Sequence, residues 1–289
     1  MKKLLLGCLY LCFMPSAFAL TVSDYLGKET QLAQPAQRIV TLVPHAAELL
    51  FSVGAGAQIV GAVEYTDFPE AAKKIPQVGN YAGLNIEAIV ALQPDVIIYW
   101  PEGNPARDIE RLKQLKMPLF ASDPNTFVEI ADDIKRFGAL TGNIDSSEKI
   151  AIAFLQEVEQ VRQDNENKQS LRVFYQVWNQ PLLSQNGDTF ISRVINLCGG
   201  ENIFADLPIK SPQISIEAVL TENPDIILVG ATDGQRPEWL DGWQQYGDLK
   251  AVKNNQLKTV DADVIHRPTL RLLDATKQVC AVFDELRAL

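Results

Sequence analysis

Asn85-Ile86-Glu87-Ala88-Ile89-Val90, closed by Gln93-Pro94-Asp95-Val96-Ile97-Ile98, decides the fold, because the chain says it twice. The second copy is Ser215-Ile216-Glu217-Ala218-Val219-Leu220, followed by Asn223-Pro224-Asp225-Ile226-Ile227-Leu228. Each copy reads as a cap, a short amphipathic helix, a Pro-Asp turn and a buried strand. Asn85 and Ser215 stand at N-cap positions, where a side-chain oxygen satisfies an orphan backbone N–H. Glu87 and Glu217 fall in the first helical turn, where the helix dipole favours a carboxylate. The copies lie roughly 130 residues apart, about one domain, whereas a solenoid repeats every ~20–50 residues. Two similar lobes follow. The glutamates keep two readings: helix-start electrostatics, or matching acidic contacts, one per lobe, offered to a two-fold partner.

Outward from the repeat, strand-like runs alternate with helical ones, the pattern of parallel sheets covered by helices. In the first half the strands fall near Arg38–Val43, Ile59–Val63, Val96–Trp100 and Leu119–Ala121. Helices follow near Ala46–Val53, Ile86–Leu92, Ala106–Leu115 and Phe127–Leu140. Thr126 with Glu129, and Asp145 with Glu148, read as capping boxes. From Asp145 to Gln169 there is neither Gly nor Pro, and Ile150, Phe154, Val158 and Val161 recur at helical spacing. A helix of ~20 residues spans ~30 Å, the width of a small domain. The segment 145–169 therefore predicts a single connecting helix between an N-terminal lobe, 20–144, and a C-terminal lobe, 170–289. The competing reading is one more packed helix of a continuous domain. The second lobe has strands at Arg172–Val177 and Leu257–Val260, helices at Phe190–Leu197 and Thr269–Leu286, and the repeat between them. The expected fold class is α/β: two Rossmann-like lobes with central parallel sheets joined by one long α-helix.

Met1 to Ala19 reads as a signal peptide: Lys2 and Lys3, an apolar run from Leu4 to Phe13, and a small-x-small site at Ala17-Phe18-Ala19. The apolar run is too short to span a bilayer. Its removal predicts an exported protein and takes Cys8 and Cys12 with it. Cys198 and Cys280 remain in an oxidising setting, where one structural disulfide is the default. Such a bridge would tie the final helix to the core of its own lobe. The chain carries a net charge of −10, and −12 without the two signal lysines. That balance argues against nucleic acid and anionic membranes as partners.

Catalytic signatures are missing. There is no Gly-x-Gly-x-x-Gly, phosphate loop, Gly-x-Ser-x-Gly or His-Glu-x-x-His. Two histidines, His45 and His266, fall short of a multi-histidine zinc site, so no metal site is expected. An exported metalloenzyme or hydrolase is the alternative from another class, and turnover would reveal it. The chain is expected to be no enzyme and to need no cofactor. Aromatic and polar residues instead gather after strands, where parallel α/β domains bind ligands. Pro44 and His45 follow the first strand, Tyr65 the second, and Trp100 the third. Tyr81 lies in Gly79-Asn80-Tyr81-Ala82-Gly83. Trp178 follows the first strand of the second lobe, and Asp263, His266 and Arg267 follow its last. Each alone suits packing. Together they suit a shared cleft for a large, flat, partly apolar ligand.

These segments resemble the periplasmic vitamin B12-binding proteins of bacterial ABC importers, within the helix-linked class of substrate-binding proteins that also carry haem and siderophores. The resemblance rests on Arg38-Ile39-Val40-Thr41-Leu42 with Pro44, Tyr65-Thr66-Asp67-Phe68-Pro69, Gly83-Leu84-Asn85-Ile86-Glu87, Trp100 with Gly103-Asn104, Cys198-Gly199-Gly200-Glu201-Asn202-Ile203-Phe204, and Pro212-Gln213-Ile214-Ser215. It implies that cobalamin lies between the lobes. Tyr65 would touch the corrin, Tyr81 and Trp100 would wall it, with Trp178 in support. Asp263, Val264, Ile265, His266 and Arg267 would meet it from the other lobe. Glu87 and Glu217 match the docking glutamates that pair with arginines of the permease dimer, which works with its ATPase subunits. The free protein would be a monomer. Cys198 and Cys280 match the family's disulfide. The chain departs from the pattern where Ile209, Lys210 and Ser211 replace an aromatic, where Val264 and Ile265 replace aromatics, and where His266 and His45 replace an acidic and a small residue. The two histidines sustain a haem or siderophore alternative, since imidazole is a common axial ligand.

Overall fold

The computed structural model describes residues 20–231 and 234–288; the expected signal peptide lies outside the described residues. Four strands build the first sheet: β1 (Ile39–Thr41), β2 (Ile59–Ala62), β3 (Val96–Tyr99) and β4 (Leu119–Ala121). Four more build the second: β5 (Leu171–Gln176), β6 (Gly200–Asn202), β7 (Ile226–Ala231) and β8 (Leu257–Asp261). Both sheets are parallel, and their orders are the same, β2-β1-β3-β4 and β6-β5-β7-β8. The repeat supplies the third strand of each. All residues of β3 are buried, as a strand covered on both faces requires.

The helices are α1 (Pro44–Ser52), α2 (Ile86–Ala91), α3 (Ala106–Gln114), α4 (Phe127–Thr141), α5 (Ile144–Asn165), α6 (Phe190–Leu197) and α7 (Ile216–Glu222). A short α8 (Ala262–Ile265) and the long α9 (Leu272–Arg287) follow β8. The repeated caps form as the sequence requires: Asn85 Oδ1 accepts from Ala88 N at 2.9 Å and Ser215 Oγ from Ala218 N at 3.1 Å. The repeated aspartates have matching tasks. Asp95 accepts the backbone N–H of Arg38, and Asp225 that of Arg172, at 2.8 and 2.9 Å. Each Pro-Asp turn thus pins the start of the neighbouring strand and sets its register.

Several boundaries differ from the sequence reading. α1 begins at Pro44, whose fixed φ and missing N–H suit the first helical turn, so Pro44 and His45 are helical rather than loop. Asp145 is not a cap: α5 starts at Ile144 after Asn143 and the carboxylate lies inside the first turn. The helix also ends at Asn165, short of Gln169. At α4, Thr126 caps Glu129 N at 3.1 Å, but Glu129 reaches back one residue further, to Asn125 N at 2.7 Å. Gly142, at φ 81°, ends α4 in the left-handed region and lets α5 start two residues later. The antiparallel hairpin of Leu20–Ser23 with Glu29–Leu32, and the two-residue pairs around Tyr81 and Trp178, have no alternation long enough to predict.

Helix α5 joins the lobes and is also packed. Ala151, Phe154 and Val161 belong to one buried cluster that runs from α1 and α4 of the first lobe to α6 and α9 of the second. Phe127 stands between the lobes, 6.2 Å from Phe154 and 6.4 Å, edge-on, from Phe190. The connecting reading of this segment holds, and the helix is packed along its length as well. A bridge between Cys198 and Cys280 ties α9 to the end of α6.

Candidate ligand-binding site

Residues that follow β1, β2, β3, β4 and β8 converge on a cavity of about 410 Å³ between the lobes. This is the carboxyl-end position at which parallel sheets bind ligands, and the volume lies within the usual range for small-molecule sites. Tyr65, Tyr81 and Trp100 all line it, as do His45, Asp263, His266 and Arg267.

The aromatic walls are held by the local chain. Trp100 Nε1 donates to Asp123 Oδ1 at 2.9 Å, and its backbone N–H donates to Asn104 Oδ1 at 2.7 Å. Asn104 Nδ2 in turn donates to Leu42 O, fastening this loop to the end of β1. Any side chain at Gly103 would strike the indole, since a Cβ there would stand 1.8 Å from Trp100 Cε3. That explains the Trp100/Gly103-Asn104 pattern. Tyr81 tips the hairpin of Gly79–Asn80 with Gly83–Leu84, where Asn80 Oδ1 caps the turn by accepting from Ala82 N and Gly83 N. Burial raises its phenol pKa. Tyr65 lies at the lip, 58 % exposed, with φ at 65°. A tyrosine in the left-handed region costs of order 1–3 kcal/mol, which the surroundings must offset.

The floor is a buried relay. His45, on the first turn of α1, places Nε2 2.8 Å from Ser122 Oγ, and Ser122 donates to Asp133 Oδ2 at 2.6 Å. Asp133 also accepts from Arg136 at 2.7 Å. Burial pushes the His45 pKa down to about 3 and the Asp133 pKa up to about 6. At neutral pH Asp133 is ionised and His45 is neutral. Ser122 has one proton, and Asp133 takes it. The serine oxygen must therefore accept from His45 Nε2–H, which leaves the lone pair on Nδ1. Nδ1 has no partner among the described residues and is not sealed in the interior, and His45 is a lining residue of the cavity.

The second lobe contributes through α8 and the turn after it. Asp263, His266 and Arg267 face the cavity, but Val264 and Ile265 do not. Ile265 is fully buried in the main core and Val264 packs against it. The two sets lie on opposite sides of one helical turn, so of the five residues that the resemblance names in 263–267 three line the cavity and two pack into the core. His266 Nε2 lies 2.8 Å from the Tyr175 hydroxyl, and burial lowers its pKa against the pull of Asp263. Trp178 lines a neighbouring hollow instead, with Arg236 and Trp239; His266 and Ala262 stand between it and the main cavity.

Arg267 is also a cross-lobe tie. It donates to Glu48 Oε1 at 3.0 Å and to Asp67 Oδ1 at 2.6 Å. Arg271 donates to both oxygens of Glu48 at 3.0 and 2.6 Å and lies 4.0 Å over the Phe68 ring. Glu48 is almost wholly buried. Burial opposes the charge on Arg267, but Asp67 and Glu48 hold its pKa above the usual value; Arg267 holds that of Asp67 below the carboxylate range although burial opposes this. Sequence reasoning named Asp67 only within a motif and overlooked Glu48, which reads as an ordinary residue of an amphipathic helix. Asp123 and Asn125 were also overlooked, although they follow β4 and the strand-end rule covers them.

Glu87 and Glu217 are far from this chemistry in role: both are exposed, on the first turns of α2 and α7, and neither has an ion-pair partner among the described residues. Val90 and Leu220, one turn on, are exposed apolar residues at equivalent positions.

Residues 39–277 match the family described as periplasmic binding protein. The chain belongs to this family. A vitamin B12-binding protein of Vibrio cholerae serotype O1 is 37% identical over 276 residues, covering 96% of this chain and 95% of that protein. One of Yersinia pestis is 35% identical and covers 92% of each. Among solved structures, the periplasmic vitamin B12 binding protein BtuF of Vibrio cholerae aligns with a TM-score of 0.79 at 36% identity, covering 88% of this chain and 99% of that one. The haem-binding protein RhuT of Roseiflexus, at 22% identity and a TM-score of 0.75, shares the fold. The two-lobed architecture with its long joining helix is thus that of a binding protein.

Proposed function

We propose that this binding protein captures vitamin B12 between its lobes in the periplasm and delivers it to the permease of an ABC importer, coupled to its ATPase subunits. Residues 20–144 and 170–289 act as the two gripping lobes, after removal of residues 1–19. The observation that carries this reading is the convergence of Tyr65, Tyr81 and Trp100 on one inter-lobe cavity, in a chain 37% identical to vitamin B12-binding relatives. The aromatic faces meet the corrin, and Asp263, His266 and Arg267 meet it from the second lobe. No chemical step is needed, and the free protein acts as a monomer.

Burial of an aromatic side chain is worth ~1.5–3 kcal/mol, and ~1.4 kcal/mol is a factor of ten in affinity. Titration calorimetry with cyanocobalamin should give a 1:1 complex, and Trp100→Ala should weaken it about tenfold or more. A wild-type protein that takes up no cyanocobalamin would end this reading; unchanged affinity in the variant would move the site elsewhere.

A further inference from the structure

The cavity has an uneven supply of hydrogen-bonding groups. Arg267 is the one cationic side chain among the described residues that line it, and its charge is already paired with Glu48 and Asp67. Opposite stand acceptors. Asp123 uses Oδ1 for the Trp100 indole and keeps Oδ2 free of protein partners among the described residues. Asp263 reaches Arg267 only at 4.0 Å. His45 presents a lone pair on Nδ1, fixed by the Ser122–Asp133 relay behind it. A ligand that fits must bring N–H donors to these atoms. A ligand fringed with carboxylates would set anions against Asp123 and Asp263 with no free cation to meet them, and would leave the Nδ1 lone pair facing another lone pair.

Tetrapyrrole-like macrocycles divide along this line. Corrinoids carry peripheral primary carboxamides, each with two N–H donors. Haem carries propionates, which at neutral pH only accept. We propose that the cleft selects its cargo by this difference, with His45 Nδ1 and the free oxygens of Asp123 and Asp263 reading peripheral carboxamides and rejecting carboxylates. The inference rests on the cobalamin reading above and names what within that ligand is recognised. It makes His45 a specificity group for the amide fringe. Ser122 is its positioning residue: without the hydroxyl, the ring is free to carry its proton on Nδ1 and to present a donor instead.

The test compares cyanocobalamin with its isomeric monocarboxylic acids, each made by hydrolysing a single peripheral amide. These differ from the parent by one amide and keep its size, cobalt and nucleotide. Calorimetric titration of the wild-type protein at neutral pH should show at least one isomer binding tenfold or more weakly than the parent, and haem binding more weakly still. In Asp123→Asn and in Ser122→Ala, the gap between that acid and the parent should narrow, with melting temperatures recorded to confirm folding. Acids that all bind as tightly as cyanocobalamin would overturn the inference while leaving the cargo reading intact, as would haem binding equal to it. A wild-type protein with no affinity for cyanocobalamin would remove both.

Discussion

His45 shows how one side chain couples the site to stability. Its ring is buried and neutral in the folded chain, with a pKa lowered to about 3, whereas an unfolded histidine titrates near 6.5. A depressed folded pKa means that the unfolded state binds the proton first. The stability associated with neutral His45 is therefore full above pH 6.5 and is lost as pH falls towards 3. At pH 5 the loss is about 2 kcal/mol. Asp133 works the other way: its folded pKa, about 6, lies above the unfolded value, so it favours folding as pH falls from 6 towards 4. Asp123 and Asp263 also line the cavity beside the ring, and Arg136 sits behind Asp133. His45→Asn should therefore lose less stability than the wild type between pH 7 and pH 5, read as the change in melting temperature. A wild-type-like slope in the variant would show that His45 is not the group that titrates. Single residues were also where the sequence was least legible. Trp100, Tyr65 and Tyr81 declared themselves by following strands. Ser122 and Asp133 did not, because a serine and an aspartate become a relay only when β4 and α4 set them beside α1.

Elements were more legible, because the repeat wrote the same instructions twice. The caps, the Pro-Asp turns and the third strand of each sheet all follow from residues within a dozen positions of one another. What the sequence could not show was α8, four residues long, whose single turn sends Ile265 into the core and Arg267 into the cavity. Too short for a periodic pattern, it is fixed by Asp261, which accepts from Asp263 N, and by packing beneath it. Two predictions belong to this scale. Helices α2 and α7 carry Glu87 and Glu217 at equivalent exposed positions, each beside an exposed apolar residue. Exposed pairs contribute ~0–1 kcal/mol, but desolvated interfacial ones couple more strongly. Reversing both, Glu87→Arg with Glu217→Arg, should abolish uptake into reconstituted vesicles and leave cobalamin affinity unchanged, with each single reversal intermediate. Normal uptake by the double variant would reduce both glutamates to helix-start electrostatics. The bridge between α6 and α9 closes a loop with a sequence separation of 82. On the chain-entropy model such a loop stabilises by about 4.5 kcal/mol, usually less in practice. Cys198→Ala with Cys280→Ala should lower the melting temperature without altering ligand stoichiometry, and a thiol titration of the oxidised, unfolded mature wild type should find none free.

At the scale of the whole molecule, the lobes are held by α5, by the shared core around Phe127, by the charges of Glu48 and Asp67 against Arg267 and Arg271, and by two contacts nearer the surface, Arg193 Nε to Asn125 O and Lys210 Nζ to Glu102. Identical sheet orders made the two-lobed plan readable from one repeat; the ties between lobes were not, because they join residues with no local pattern in common. A single packed helix offers few hinge positions, so ligand binding should change the small-angle scattering radius only slightly. Breaking a buried ion pair from one side costs ~3–5 kcal/mol, because the other charges stay buried. Glu48→Gln should lower the urea midpoint and enlarge the scattering change on binding. An unaltered midpoint would mean that the charges merely sit together.

Those charges also impose an order on the chain's birth. Glu48 and its arginines are separated by 219 and 223 residues. In a chain exported N-terminus first, as proposed, the first sheet and α4 emerge about 126 residues ahead of Arg267. Over that length of chain the first lobe can exist without the second. Throughout that interval the Glu48 carboxylate has no guanidinium to meet, and it must stay hydrated. The young lobe therefore shows water a face that the finished protein never does, and the arrival of Arg267 and Arg271 is the event that closes it.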